Sequence, residues 1–186
     1  MTAFFLTFIA VSLAMLAGRE AVRVAHLAKT GMSGAALTGA IAFAGILGCA
    51  GTAWLAGAIA DLLSDDYRVW LVFGALMLAA LEILLLHASP APREPTHSIG
   101  AVAIVLLAGV ATDASGLLVL SLSVATGEPI FVAAGGGLAV LAVLGIGALA
   151  GADWEKLPRS TLRHVVAGIL TAAALLIVIS PPAALS

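Results

Sequence analysis

The chain has 186 residues, a formal net charge of −2, 62% hydrophobic and only 10% charged residues, and a mean hydropathy of +1.19. A water-soluble fold of this length needs more polar surface, whereas lipid solvates an apolar exterior, so this composition excludes an ordinary soluble domain. Cys49 is the single cysteine, which excludes an internal disulfide and a thiolate metal cluster. No basic tract indicates nucleic-acid binding, and no sequence motif indicates an enzyme or a cofactor.

Long apolar runs bounded by charges or prolines predict the secondary structure. A helix that crosses a bilayer needs about 20 mostly apolar residues. In chain order, runs of roughly this length cover residues 1–18 (with room to continue to about 28), 32–60, 69–88, 98–127, 129–152 and 165–179. The sequence therefore predicts an all-α integral membrane protein with six transmembrane helices.

Polar segments separate these runs. "LLSDDYR" at 62–68 and "DWEKLPRSTLRH" at 153–164 read as solvated connections, and "SPAPREPTHS" at 89–98 reads as a linker. The second and fifth runs are rich in small residues that let helices approach closely. In the fifth run, an unwound segment at Gly135, Gly136 and Gly137 is the alternative to packing. Tryptophans near the span ends, Trp54, Trp70 and Trp154, are typical of interfacial anchors.

Basic residues predict the orientation. The connections after the first, third and fifth spans hold Arg23, Lys29, Arg93, Lys156, Arg159 and Arg163, whereas the opposite face has Arg68. Since cytoplasmic loops carry an excess of Lys and Arg, both termini are expected outside the cytoplasm, in a bacterial inner membrane.

The chain also matches itself at an offset of 94 without a gap. "LAGA" at 55–58 falls on "LAGA" at 149–152, and matching positions continue through all three helix pairs. This pattern predicts one membrane domain made of two repeats, about 1–88 and 99–186, joined by the linker 89–98. Because each repeat has an odd number of spans, the second copy is expected to be inverted, as in many secondary transporters.

The same offset places Asp113 opposite Arg19. Each lies about 15 residues into its apolar run, or about 22 Å along a helix, so inversion brings the two charges toward one central region. A charge at the bilayer centre costs about 2.5–3.5 kcal/mol and is usually turned to a partner or a wet cavity. Asp113 is interpreted as a gate, proton acceptor or substrate contact, or as half of a structural ion pair. Arg19 either pairs with it or extends a basic helix face with Arg23 and His26.

"VATDAS" at 110–115 and "LAGREA" at 16–21 resemble the paired signatures of the Golgi-type Mn²⁺/Ca²⁺ cation:proton exchangers, in the LysE-like transporter superfamily. That signature reads Glu, an apolar residue, Gly, Asp, a basic residue, then Ser or Thr. The second copy keeps Asp113 and Ser115 but has Val110, Thr112 and Ala114 at the Glu, Gly and basic positions. Asp113 is thus the one strong metal-ligand candidate that the resemblance implies, with Ser115 and Thr112 beside it.

The first copy of the signature keeps Gly18 but has Leu16, Arg19, Glu20 and Ala21 at its Glu, Asp, basic and hydroxyl positions. Ca²⁺ and Mn²⁺ favour several carboxylate or carbonyl oxygens, and a nearby guanidinium repels them. The favoured function is secondary transport resembling divalent cation:proton exchange, with Asp113, Arg19, Ser115, Thr112 and Glu20 as pathway candidates. The alternatives are export of a small, amino-acid-like organic solute and a non-transporting scaffold or partner-binding protein with a locked Arg19/Asp113 pair.

Overall fold

The computed structural model describes residues 1–29, 32–86 and 98–181. Within these ranges all regular structure is helical: α1 Thr2–Ala17, α2 Glu20–Lys29, α3 Gly34–Ala60, α4 Asp65–Leu85, α5 Ile99–Thr112, α6 Ala114–Thr126, α7 Pro129–Ala150 and α8 Arg159–Ile179, with a 3₁₀ helix, Gly151–Lys156, between α7 and α8. The element order repeats: each half has a pair of shorter helices followed by two long ones. The predicted linker 89–98 lies, except for Ser98, outside the described residues.

Four helices, α3, α4, α7 and α8, are long and apolar enough to cross a membrane by themselves. The other two candidate spans are bent pairs: α1 and α2 meet at 66°, and α5 and α6 meet at 48°. Large apolar side chains such as Phe43, Ile104 and Ile169 face outward. Helices of this length and composition, with an apolar exterior, make the chain an integral membrane protein with four to six candidate spans.

Two helices begin earlier than the apolar runs predict. α4 starts at Asp65 and α8 at Arg159, so parts of both predicted solvated connections are helical. Asp65 and Asp66 suit the first turn of α4 because carboxylates there interact favourably with the helix dipole. A charged residue ends an apolar run in the sequence, but it does not interrupt the backbone hydrogen bonds that continue a helix.

Small residues allow the central helices to touch. α7 packs against both α3 and α1. A Cβ at Gly45 would lie 3.0 Å from Val140 Cγ1, and a Cβ at Gly135 would lie 2.3 Å from the carbonyl oxygen of Phe4. Gly135, Gly136 and Gly137 all lie within continuous α7 and are buried. The packing interpretation of these glycines is thus confirmed, and the alternative of an unwound segment there is wrong.

The three tryptophans differ in exposure. Trp54 is 75% exposed and Trp70 is 58% exposed, as expected of residues near the ends of spans. Trp154, in the 3₁₀ helix, is only 4% exposed. Interfacial anchoring is therefore the wrong interpretation for Trp154. The 3₁₀ helix that contains Trp154 packs against α2, and the indole is buried within the protein.

The contact at Gly135 predicts the effect of adding one methyl group. Gly135→Ala is expected to destabilise the protein by about 1–3 kcal/mol because the Cβ meets rigid backbone of α1. Gly145→Ala, in the same helix, is the control, since a Cβ there meets no described atom within 4 Å and Ala favours helix. Thermal unfolding in detergent measures both. Equal stability of the two variants would contradict this account of the α1–α7 contact.

Candidate functional site

The two bent spans break at equivalent positions. α2 begins at Glu20 and α6 at Ala114, which are 94 residues apart. Gly18 and Arg19 separate α1 from α2, whereas Asp113 alone separates α5 from α6. Each break contains an extended residue: Gly18 has φ −77° and ψ −178°, and Asp113 has φ −81° and ψ −178°. An extended residue stops the helical hydrogen-bond pattern, so each break exposes polar backbone groups within an apolar span.

Local contacts hold the second break in place. The N–H of Asp113 donates to Gly109 O at 2.9 Å and its carbonyl accepts from Leu117 N at 3.1 Å, so Asp113 ends one helix and begins the next. Ser115 Oγ donates to the carbonyl of Val110 at 3.3 Å. A Cβ at Gly116 would lie 2.2 Å from the carbonyl oxygen of Ala111, so a larger residue does not fit this bend.

Asp113 does not use its carboxylate to cap α6. The carboxylate instead accepts two hydrogen bonds from Arg19, from Nη2 to Oδ1 at 2.5 Å and from Nε to Oδ2 at 3.2 Å. Asp113 is 7% exposed and the Arg19 side chain 24%. The contact expected from the repeat offset is therefore present, and Arg19 turns inward rather than joining an outer basic face.

Two more carboxylates approach the same guanidinium. Arg19 Nη2 lies 3.7 Å from Glu82 Oε1, and Arg19 Nε lies 3.8 Å from Glu20 Oε1. Arg23 donates to Glu20 Oε1 from its Nη1. These five side chains, Arg19, Glu20, Arg23, Glu82 and Asp113, are called the charge cluster below. It sets three carboxylates against two guanidinium groups, which leaves one formal negative charge in excess.

Glu20 is the most enclosed carboxylate of the charge cluster, with a side chain that is 5% exposed. Its Oε2 atom is buried and has no hydrogen-bond partner among the described residues. This carboxylate and that of Asp113 both contact the guanidinium of Arg19. It packs on Gly109 so closely that a Cβ there would lie 2.8 Å from both Cδ and Oε2 of Glu20. Only glycine leaves room for this carboxylate.

Two cavities meet at the charge cluster. The inner one, of about 20 Å³, has room only for a water-sized group, and Arg19, Glu20, Glu82, Asp113 and Ser115 line it. The outer one, of about 380 Å³, lies between the α1 break, the end of α4 and the start of α8. Gly18, Arg19 and Leu86 line both. The guanidinium of Arg19 therefore separates an outer chamber from the buried carboxylates.

The predicted pathway residues do not all converge. Arg19, Glu20, Asp113 and Ser115 line the inner cavity. Thr112 is exposed and its hydroxyl donates to Ala108 O at 2.7 Å, so it lies outside the cavity.

Glu82 belongs to the charge cluster although it was not among the pathway residues expected from the sequence. Its repeat partner at the offset of 94 is Leu176, so the internal repeat gave no signal for it. The one signal was an ionisable residue within an apolar run.

In comparisons with known proteins, no family model, no curated protein and no solved structure matches the chain. The resemblance to the cation:proton exchangers therefore stays a prediction.

Removing Arg19 is expected to destabilise the protein more than removing Asp113. Arg19→Gln leaves three partly or fully buried carboxylates beside Arg23 alone, and breaking such a pair typically costs about 3–5 kcal/mol. Asp113→Asn leaves Arg19 with Glu20 and Glu82. Arg68→Gln is the control: Arg68 pairs with Asp65, whose side chain is 61% exposed, and its Nε donates to Ala60 O at 2.9 Å, so the loss is about 1–2 kcal/mol and stays below that of Arg19→Gln.

Chemical or thermal unfolding of the three variants in detergent gives the ranking. If Arg19→Gln matched Arg68→Gln in stability, the charge cluster would be hydrated and loosely paired, contrary to the burial seen in the structure.

Proposed function

We propose that this protein is a secondary membrane transporter whose charge cluster couples proton binding to the passage of a small charged solute. One observation carries the proposal. The breaks of two candidate spans meet at a buried set of carboxylates and guanidinium groups, and this set adjoins two cavities. Broken helices that line a cavity at membrane depth are a recurrent feature of transporter binding sites.

The cost of the charge cluster supports a functional role. Each charged side chain within a bilayer is expensive, and such residues usually mark ion or substrate pathways. The excess negative charge makes the cluster a site for one more positive charge. In this proposal Glu20 takes that charge, because its Oε2 is buried without a hydrogen-bond partner among the described residues and its carboxylate shares Arg19 with that of Asp113. A proton on Oε2 would make this oxygen a hydrogen-bond donor and would remove the excess negative charge of the cluster.

The geometry favours a proton over a divalent cation as the coupling ion. Arg19 occupies the centre of the three carboxylates, and a fixed guanidinium repels Mn²⁺ or Ca²⁺. Within the described residues, no three His, Cys, Asp or Glu side chains are arranged to hold a metal ion. Arg19 fills the space that a metal ion would need.

The inverted repeat supplies the movement in this proposal. Element order repeats at the offset that pairs Arg19 with Asp113, and three spans per half imply opposite insertion of the halves. Rocking of one half against the other would part Arg19 from Asp113 and open the charge cluster to alternate sides. In this proposal both termini lie outside the cytoplasm, in a bacterial inner membrane, because the connections after the first, third and fifth predicted spans hold most of the Lys and Arg residues.

Proton movement in sealed vesicles tests the function. Purified protein is reconstituted with a pH-sensitive dye inside, and Mn²⁺, Ca²⁺ or an amino acid is added outside. At least one solute class is expected to drive proton movement in the wild type. Glu20→Gln and Asp113→Asn should lower this movement to background, whereas Arg68→Gln should keep it. Absence of proton movement with every solute, together with tolerance of a combined Arg19→Gln and Asp113→Asn change, would instead indicate a locked pair in a scaffold protein.

A second prediction concerns a substitution that displaces the Glu20 carboxylate without changing any charge. Gly109→Ala places a methyl group about where the Glu20 carboxylate lies, so solute-driven proton movement should fall strongly while the charges remain. Gly100→Ala, in the same helix, is the matched control because its Cβ would meet only Ser98 Oγ at 3.9 Å. Equal transport by the two variants would show that the position of Glu20 is unimportant.

A further inference from the structure

We propose that the outer cavity is an entrance that binds an oxyanion, a carboxylate or phosphate group, and that the transported solute carries such a group. This inference rests on the proposed function and names its substrate class. The outer cavity is called the vestibule below. It has a volume of about 380 Å³, which is large enough for a small organic molecule.

The lining of the vestibule has one sign of charge. Arg19, Arg159, Arg163 and His164 line it, and none of its described lining residues is acidic. A cleft with basic walls beside an apolar body raises the local concentration of anions. Guanidinium groups match carboxylate and phosphate oxygens because their N–H donors lie in a planar fork.

Hydrogen bonds fix the guanidinium of Arg163 and leave its Nη1 nitrogen available. Its Nε donates to Ile83 O at 2.6 Å, and its Nη2 donates to Leu84 O at 3.0 Å and Leu86 O at 2.8 Å. These bonds satisfy carbonyls at the end of α4 and fix the guanidinium plane. Within the described part of the chain Nη1 has no hydrogen-bond partner, so one nitrogen of this fixed guanidinium is available. A rigid donor of this kind suits a single contact with an oxyanion at little entropic cost.

The start of α8 adds to the positive field. α8 begins at Arg159 without a side-chain cap and without an acidic residue in its first turn. The positive end of its dipole therefore lies at the vestibule, where Ser160 and His164 are exposed, and it counters the negative ends of α1 and α4, whose C-terminal residues also line the vestibule. His164 donates to Ser160 O through Nδ1 at 2.6 Å.

The position of Arg19 links the vestibule to the charge cluster. Arg19 lines both cavities and holds Asp113 through two hydrogen bonds. An anion that binds Arg19 from the vestibule competes with Asp113, and a proton on the carboxylates weakens their hold on Arg19. Anion binding would therefore make proton uptake by the carboxylates more favourable, and proton uptake would make anion binding more favourable, because both act on the guanidinium of Arg19.

Direct binding tests the vestibule separately from transport. Purified protein in neutral detergent is titrated with succinate and with inorganic phosphate by calorimetry and thermal shift. Binding of at least one anion is expected for the wild type. Ser160→Glu introduces a carboxylate among the basic residues, in a first helical turn that tolerates it, and should weaken binding by about tenfold or more. Arg159→Gln should also weaken it.

Ser64→Glu is the matched control. Ser64 is exposed at the start of α4 and also lacks a side-chain cap bond, so the change in net charge is the same. It lies at the opposite end of α4 from the vestibule, about 30 Å along the helix, and should leave binding unchanged. Equal weakening by Ser64→Glu and Ser160→Glu, or no binding of either anion, would overturn the proposal.

Anionic lipid is the other source of an oxyanion. The same titrations in nanodiscs of phosphatidylglycerol and of phosphatidylcholine separate the two sources. Competition by the anionic lipid with no binding in detergent would assign the vestibule to a headgroup and overturn its role as a solute entrance. Solute-driven proton movement without anion binding would leave the proposed function standing and refute the substrate class. Anion binding without proton movement, when the bound anion is also added to the vesicles, would keep the vestibule as an anion site but would refute both the proposed function and the role of that anion as the transported solute.

Discussion

The two hydrogen bonds between Arg19 and Asp113 are the interaction on which the arrangement of this protein depends. They join residues 94 positions apart and connect the break in one bent span to the break in another. An extended residue within an apolar span is unfavourable by itself because it interrupts backbone hydrogen bonding. The ion pair joins the two breaks in one polar centre. The charged side chain at each break therefore stabilises the interrupted helix at the other.

The helices around this centre differ in what they contribute. α3 and α7 are long, continuous and packed through glycine, which gives a rigid body with close backbone contacts. The bent pairs carry the charged residues instead. Rigid packing beside broken helices concentrates conformational freedom at the breaks, where a change in protonation or in ligand has most effect.

Arg19 gives the charge cluster its chemical character. Its guanidinium contacts three carboxylates and also lines the vestibule. Arrangements built for divalent cations leave their carboxylate oxygens free for the metal, whereas here a fixed cation occupies them. The remaining negative charge suits a proton, and the outward side of Arg19 suits an anion. Both proposals thus follow from one side chain that faces two environments.

The sequence by itself determined that the chain is a membrane protein and where its apolar helices lie, and it indicated the Arg19–Asp113 pair as one of two interpretations of Arg19. Composition indicates that the exterior is solvated by lipid, and the length of an apolar run indicates a helix that can cross a bilayer. Tertiary structure alone decided that α1 and α2, and α5 and α6, meet at bends, that Arg19 contacts Asp113, that Glu82 joins the charge cluster from α4, and that Arg163 fixes the end of α4 from 80 residues away. Those features depend on contacts between distant segments, and hydropathy and local spacing carry no record of which segments meet.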